Sequence, residues 1–239
     1  ADWDMPGPFR QQYFAVQVDR DSDLNDLGFQ DRNNFRYFEW ETGYREDALD
    51  ESSRFASHAW EFELTQQENL DGFMLRRNIT LQRYSELRDS STLFFFIRRV
   101  LPAFEDRISR GNGVARIRGG YSFYAEGSRA RQDGGRLSWT WLANSYPGRS
   151  RPKQNYLVGL EPRIYFSDTL DLSVGLNYTR WNDWLLWRGG STLASFTANR
   201  LDLSSSLNWF ISDKPKTDCQ KREDGDNSIR CSYIFFAIF

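Results

Sequence analysis

The chain has 239 residues, a formal net charge of −2 and a mean hydropathy of −0.68. A chain so close to neutral has no global basic field, which excludes recruitment of nucleic acid by bulk charge. Aromatic residues make up 16% of the sequence, and this argues against a disordered protein, because disordered chains are poor in aromatics. The composition is typical of strands that are apolar at every second position and are joined by polar loops.

The sequence also limits how the chain would meet a membrane. No run approaches the roughly 18 consecutive apolar residues of a transmembrane helix, whereas a strand of a membrane barrel needs only about 9–11 residues, half of them polar. Ala1 leads directly into Asp2 and Trp3, with no signal peptide. We therefore expect the chain to be a mature form or a fragment.

Residues 1–34 are predicted to form a loop-rich N-terminal segment with one short strand at 13–18. The acidic turn that follows this strand opens with the aspartate spacing of an EF-hand loop. However, Leu24 stands where that loop needs glycine, and Gln30 stands where it needs a bidentate glutamate. We therefore interpret the turn as solvated and predict no metal site.

Residues 35–212 are predicted to be a β-domain, because apolar and polar residues alternate along most of this region. The alternation is clearest from Leu170 to Thr179. Further strands are predicted at 35–44, 54–65, 72–84, 92–100, 113–125, 136–146, 156–166 and 201–209. With the strand at 13–18, this is an antiparallel meander of about ten strands, many of them longer than the usual length of about 5–6 residues.

Residues 213–239 are predicted to be an atypical tail, a charged run that ends in an apolar segment. The terminal Phe239 is typical of bacterial outer-membrane barrels, whose aromatic last residue is read by the barrel-assembly machinery. The apolar segment does not alternate, so an altered end explains it about as well. Cys219 and Cys231 are close enough in sequence for a disulfide, and the sequence leaves their pairing open.

Alternating strands fit either a soluble β-sandwich with a dry core or a transmembrane outer-membrane β-barrel. The long strands, the small polar residues on their wet faces and the aromatics near their ends favour the barrel. The candidate lumen-facing residues are Arg116, Arg118, Asp171, Asn177 and Asp202, and the candidate interfacial aromatics are Trp181, Trp184, Trp187 and Trp209. We interpret 181–190 as a connection at the membrane edge. The alternative is a soluble carbohydrate-binding sandwich that uses the first three tryptophans as a stacking platform.

Three motifs carry a resemblance to a known family: DLGFQDRNN at 26–34, the Leu101–Gly113 junction and WNDWLLW at 181–187. The chain resembles the C-terminal β-barrel domain of a large, functionally uncharacterised family of Gram-negative outer-membrane proteins. In that family, a carbohydrate-binding family-9-like module precedes the barrel. The resemblance spans residues 26–211, and the charged tail stands where the family continues into another strand, so closure of the barrel within this chain is left open.

The resemblance implies a location in the bacterial outer membrane, with lipid and the barrel-assembly machinery as partners. It implies a porin-like pore, an anchor or an uptake component related to carbohydrate. The sugar-binding module itself is not in this chain, and the family has no established catalytic residues to carry over.

The residues themselves indicate no enzyme and no cofactor. No nucleophile elbow, phosphate-binding loop or dinucleotide-binding glycine pattern occurs. Neighbouring carboxylates such as Glu61 with Glu63, or Glu105 with Asp106, do not establish the separation that a glycosidase needs. The single histidine, His58, has no nucleophile or carboxylate motif around it.

Arginines are densest in the middle of the chain, and two interpretations remain open. They are Arg76, Arg77, Arg98, Arg99, Arg107, Arg110, Arg116 and Arg118. If Arg116 and Arg118 point inward, they form a positive wall that favours anionic solutes. The interpretation that we favour pairs the inward arginines with Glu39, Glu41, Glu61 or Glu63.

Overall fold

The computed structural model describes residues 2–4, 7–22, 33–47, 49–110 and 113–209. The regular elements of these residues are all β-strands. In chain order they are β1 (Asp2–Asp4), β2 (Phe9–Val18), β3 (Phe35–Glu46), β4 (Phe55–Asn69), β5 (Met74–Leu87), β6 (Thr92–Val100), β7 (Ala103–Glu105), β8 (Ala115–Ile117), β9 (Gly120–Arg129), β10 (Leu137–Pro147), β11 (Gln154–Tyr165), β12 (Leu170–Gly189) and β13 (Thr192–Trp209).

The strands form one large antiparallel meander with a small hairpin inserted into it. The strand order of the meander is β1-β2-β3-β4-β5-β6-β9-β10-β11-β12-β13. Among the described strands, β7 pairs only with β8. Ten of its strands are long, which confirms the predicted meander of about ten strands. The described strands do not divide into the two packed sheets of the sandwich alternative. They also do not join β1 or β2 to β13, so hydrogen bonds do not close this sheet into a barrel.

The registers explain why each face of the sheet is uniform. Between β12 and β13, Leu172 lies opposite Leu207 and Leu176 lies opposite Leu203, whereas Ser173 lies opposite Ser206. A slip of one residue would exchange the two faces, so the apolar alternation and the strand pairing specify the same register.

Two predicted boundaries need correction. The single strand predicted at 113–125 is divided into β8 and β9, because Ala115–Ile117 pairs with β7 whereas the residues from Gly120 onward pair with β6. The connection predicted at 181–190 is wrong, because β12 continues through Gly189. The reversal occurs at Gly189 and Gly190, whose positive φ angles of 126° and 51° suit a residue without a side chain.

The N-terminal part of the chain contains more strand than the sequence predicted. The short strand expected at 13–18 is the second half of β2, which begins at Phe9 and pairs with β3 along its whole length. β1 and β2 therefore belong to the same sheet as the strands after residue 35.

The connections between the strands lie at two opposite ends of the sheet. We call one the turn end; it holds the connections 47–54, 88–91, 130–136 and 166–169. The opposite end, the loop end, holds the connections 19–34, 70–73, 101–119, 148–153 and 190–191. The pairing of β12 with β11 stops at Arg180, so the rest of β12 and the β13 segment opposite it project beyond the loop end as a two-stranded ribbon.

Several sequence predictions lie outside the described residues. These include the tail at 213–239 with Cys219 and Cys231, most of the motif at 26–34, and the positions of Leu24 and Gln30. The described residues contain no helix that is long and apolar enough to cross a membrane.

Candidate functional site

The two faces of the sheet distribute polar and apolar side chains in an unusual way. We call the face that carries Thr80, Ser122 and Asp171 the polar face, and the opposite one the apolar face. Among the described residues, Ala103 is the only buried hydrophobic residue, whereas Thr80 is fully buried and Asp171 is only 2% exposed. The exposed apolar side chains include Leu81, Ile97, Phe123, Leu160, Leu176, Leu203 and Leu207. Soluble proteins show the opposite distribution, because they bury their large apolar side chains.

Two arginines of the apolar face lie against aromatic rings. The guanidinium of Arg83, near the turn end, lies 5.0 Å from the ring centre of Trp60 and 5.1 Å from that of Phe55. Arg99, near the loop end, lies 4.6 Å from the ring centre of Tyr121. Arg83 lies opposite Phe95 and Arg99 lies opposite Ile79, so the apolar-face side chains between the two arginines on β5 and β6 are Leu81 and Ile97. Each arginine is therefore partly stabilised by a cation–π contact on the apolar face.

A charge network crosses the polar face on β2, β3, β4 and β5. Arg10 forms ion pairs with Glu41, at 2.6 Å, and with Glu61. The amide of Gln82 donates a further hydrogen bond to Glu61. Among the described residues, Glu41 and Glu61 therefore form ion pairs with Arg10 and not with the arginines that the sequence analysis selected.

Asp171, a predicted site residue, lies on the polar face and joins three strands. Its carboxylate accepts hydrogen bonds from Nε and Nη2 of Arg163, both at 2.7 Å, and from Nδ2 of Asn208 at 2.9 Å. These contacts neutralise the buried charge and satisfy its lone pairs, as a buried carboxylate requires.

Asn177 and Asp202, also predicted site residues, lie opposite each other on the polar face of β12 and β13. Asn177 occupies the space above Gly159, where a side chain at 159 would collide with its Oδ1 atom. Asp202 accepts a hydrogen bond of 2.8 Å from Arg200. The structure therefore brings three of the five predicted polar residues onto one wall.

Arg116 and Arg118 are placed differently from the prediction. Arg116 lies in β8, opposite Phe104 of β7, and Arg118 follows in the segment that leads into β9. Neither forms an ion pair with a described carboxylate. The predicted alternation of these arginines along a main strand is corrected, because β8 pairs with β7 in a separate hairpin.

The four predicted interfacial tryptophans lie at opposite ends of the sheet. Trp181, Trp184 and Trp187 follow one another along β12 toward the loop end, and Trp209 ends β13 at the turn end. Trp184 and Trp209 are exposed. The indole of Trp187 instead donates to the carbonyl of Gly190 at 2.8 Å and packs 4.9 Å from the guanidinium of Arg110, so it contacts the inserted loop.

Asp183 is a polar centre that the sequence analysis missed. Its carboxylate accepts hydrogen bonds from the backbone N–H of Ser150 at 2.5 Å, the hydroxyl of Ser150 at 2.6 Å and the backbone N–H of Arg151 at 2.8 Å. The hydroxyl of Ser195 donates as well. Asp183 therefore ties the base of the projecting ribbon to the β10–β11 turn. The residues next to Asp183 in the sequence do not indicate a buried carboxylate, because the groups that donate hydrogen bonds to it are distant in sequence.

The β7–β8 hairpin lies over the polar face at the loop end. Phe104 packs against Phe73 with ring centres 5.5 Å apart, and Glu105 forms an ion pair of 2.5 Å with Arg149. Asn69 donates a hydrogen bond of 3.0 Å to Asp106. The hairpin thus bridges from the β4–β5 turn to the β10–β11 turn.

A cavity of about 290 Å³ lies between the hairpin and the polar face. The hairpin side contributes Ala103, Phe104 and Glu105, and the sheet side includes Arg98 and Ser122. Arg98 extends along the sheet and donates a hydrogen bond of 3.0 Å to the hydroxyl of Thr80. The cavity lining thus combines arginine residues with partly apolar residues of the hairpin.

A second cavity of about 290 Å³ lies on the polar face nearer the turn end. Its lining includes Tyr84, Phe94, Glu126, Glu161 and Asn177. Aromatic rings and carboxylates are groups that can stack on a sugar ring and accept hydrogen bonds from its hydroxyls.

Comparison with known proteins adds no relative: no family model, curated protein or solved structure matches this chain. Within the described strands and turns, no group of three or more His, Cys, Asp or Glu side chains is arranged to hold a metal ion.

Proposed function

We propose that the chain is the β-barrel domain of a bacterial outer-membrane protein and acts there as a pore or uptake component. The observation that carries this proposal is the exposure of the apolar face together with the burial of the polar one. In water, such a face would be a large unfavourable surface, whereas in a bilayer it meets lipid.

The margins of the apolar face support the same proposal. Arg99 lies near the loop end of the apolar face against the ring of Tyr121, and the exposed Trp209 lies at the turn end. In membrane barrels, aromatic and basic side chains gather at the two lipid–water interfaces, because each has an apolar body and a polar tip. Asp183 and the projecting ribbon lie past the loop end, outside the proposed spanning part.

The connections support an orientation. Barrels of the outer membrane have short periplasmic turns and longer extracellular loops. We therefore assign the turn end to the periplasm and the loop end, with the 19–34 and 101–119 connections, to the cell exterior.

The proposal requires the sheet to close in the membrane, because an unpaired strand edge is costly in lipid. Ten long strands in meander order place β2 and β13 in opposite directions, so these two would pair antiparallel like their neighbours. The test is a cysteine at Ala15 combined with single cysteines scanned from Leu201 to Leu207, in a Cys219→Ser and Cys231→Ser background. A disulfide at one register supports closure, and no cross-link at any position contradicts it.

The role in carbohydrate uptake rests on the resemblance noted above and on the cavity that holds Tyr84, Phe94 and two carboxylates. The soluble carbohydrate-binding alternative would need the apolar face to be covered by protein.

Folding in detergent tests the membrane proposal. Refolded into micelles, the chain should resist SDS until heated and migrate as a heat-modifiable band, and it should float with lipid vesicles. A chain that stays monomeric and folded in buffer without detergent would contradict it.

A further inference from the structure

We propose that the cavity under the β7–β8 hairpin binds the anionic group of a small solute. This inference rests on the proposed function, because it names the class of solute that the polar face meets at the loop end. It is carried by the charges around the cavity and by the way the hairpin covers them.

The cavity lining is strongly cationic. Five arginines contribute to it, and Glu105 is its only carboxylate among the described residues. These arginines are Arg76, Arg77, Arg98, Arg118 and Arg149. Arg77 alternates to the apolar face and contributes backbone, since its carbonyl accepts a hydrogen bond of 3.0 Å from the N–H of Leu101. The other four arginines and one carboxylate residue therefore contribute to the same lining.

That carboxylate neutralises only one of the four cations. Glu105 pairs with Arg149, whereas no described carboxylate forms an ion pair with Arg76, Arg98 or Arg118. Glu63, on the neighbouring strand, interacts with Arg76 and Arg98 only through longer-range attraction. The cavity thus keeps a surplus of positive charge, which is an electrostatic condition for attracting an anion.

The geometry of the cations suits an oxyanion. Arg98 is half-buried, donates its Nε–H to Thr80 and packs 4.9 Å from the ring centre of Phe96, and its Nη–H groups have no hydrogen-bond partner among the described residues. Arg118, which follows β8, also contributes to the lining. Guanidinium groups bind carboxylate and phosphate oxygens through paired, charge-assisted hydrogen bonds.

The size of the cavity limits the solute. About 290 Å³ is at the lower bound of ordinary small-molecule sites, so an anion of the size of an acidic monosaccharide fits better than an oligomer. The shared chemistry is a compact group of anionic oxygens, which an organic carboxylate or a phosphate can supply.

The test is titration calorimetry on the micelle-folded protein with D-glucuronate, D-glucose and inorganic phosphate. We expect glucuronate or phosphate to bind and glucose to bind at least tenfold more weakly. Comparison of the two anions tells whether the source is a carboxylate or a phosphate.

Variants locate the binding. Arg98→Gln and Arg118→Gln should each weaken anion binding about tenfold, the loss expected for one charge-assisted contact. Arg200→Gln, which removes the same charge from β13, is the matched control and should change the affinity less than twofold. Arg118 lies outside the large sheet, so its variant remains informative if Arg98→Gln fails to fold.

The outcomes separate the two claims. A heat-modifiable protein that binds neither anion, or whose affinity falls equally with Arg200→Gln, overturns this inference alone. A chain that acquires no heat-modifiable form in micelles overturns the proposed function and this inference with it.

Discussion

Arg163 donates two hydrogen bonds of 2.7 Å to the carboxylate of Asp171, across the pairing of β11 with β12. The Asp171 side chain is 3% exposed and that of Arg163 is 38% exposed, so the pair is buried on the carboxylate side. Asn208 of β13 completes the set. This relationship makes Asp171 a structural element of the polar face.

Replacing Asp171 with alanine should lower the free energy of unfolding by about 2–3 kcal/mol, because Arg163 and Asn208 lose a charged, buried acceptor. The measurement is urea unfolding of the micelle-folded protein, followed by tryptophan fluorescence. Asp202→Ala is the control, since within the described strands Asp202 bonds only to the exposed Arg200, and its loss should cost less than about 1 kcal/mol. An equal loss of unfolding free energy in the two variants would contradict a larger structural contribution from Asp171 than from Asp202.

Gly119 allows the hairpin to approach the sheet. A Cβ atom there would lie 2.8 Å from the backbone N of Pro102 and 2.9 Å from the carbonyl carbon of Leu101, and backbone cannot yield as a flexible side chain can. Gly119→Ala should therefore destabilise the fold by about 1–3 kcal/mol and expose the 101–119 segment to limited proteolysis. Gly43→Ala is the control, because its nearest atoms belong to the flexible Arg10 side chain. Unchanged cleavage in Gly119→Ala would contradict the close seating of the hairpin.

Asp183 predicts an acid-dependent change at the projecting ribbon. Burial acts to raise the pKa of Asp183, but hydrogen bonds from the Ser150 and Ser195 hydroxyls and from the backbone N–H groups of Ser150 and Arg151 outweigh it and lower the pKa from 3.8 to about 2. A lowered folded-state pKa means that the stabilisation is complete above the unfolded value and disappears as the pH falls through about 2.

The stability advantage of the native protein over Asp183→Asn should therefore shrink as the pH falls from 5 to 2. The measurement is the thermal midpoint of both proteins in micelles across that range. A constant difference between native and Asp183→Asn proteins would show that the carboxylate charge does not stabilise the ribbon.

An arginine substitution should cost much more folding free energy on the apolar face of β13 than on its polar face. Leu203 lies on the apolar face and is 46% exposed, and the next residue, Ser204, lies on the polar face. Leu203→Arg should cost about 2–4 kcal/mol of folding free energy in lipid vesicles, as for an arginine near the middle of a bilayer, whereas Ser204→Arg should cost less than about 1 kcal/mol. Similar costs at the two positions would contradict a lipid-facing apolar face.

The sequence predicted most of the sheet because alternation is a local signal. The stripe from Leu170 to Thr179 indicates a strand and its two faces without knowledge of any partner. The placement of Asp171, Asn177 and Asp202 on one polar face follows from the same period, and so does the number of long strands.

What the sequence could not predict depends on contacts between distant segments. The tryptophan-rich run at 181–187 does not alternate cleanly, and its continuation as a strand depends on pairing with β13 and on the turn at Gly189 and Gly190. The hairpin around Arg116 is set by Phe73 and Arg149, which are remote in the chain. The Asp183 centre likewise needs the β10–β11 turn to be in place before its hydrogen bonds exist.

The most direct test of the membrane proposal is site-directed spin labelling along β13 in lipid vesicles, in the Cys219→Ser and Cys231→Ser background. Nitroxides at 201, 203, 205 and 207 should be accessible to oxygen and protected from a water-soluble nickel reagent, and those at 202, 204 and 206 should show the reverse. Ser205 is the sharpest position, because its side chain is polar but its register places it on the apolar face. Equal access of the nickel reagent to odd and even positions would contradict the proposal that the apolar face meets lipid.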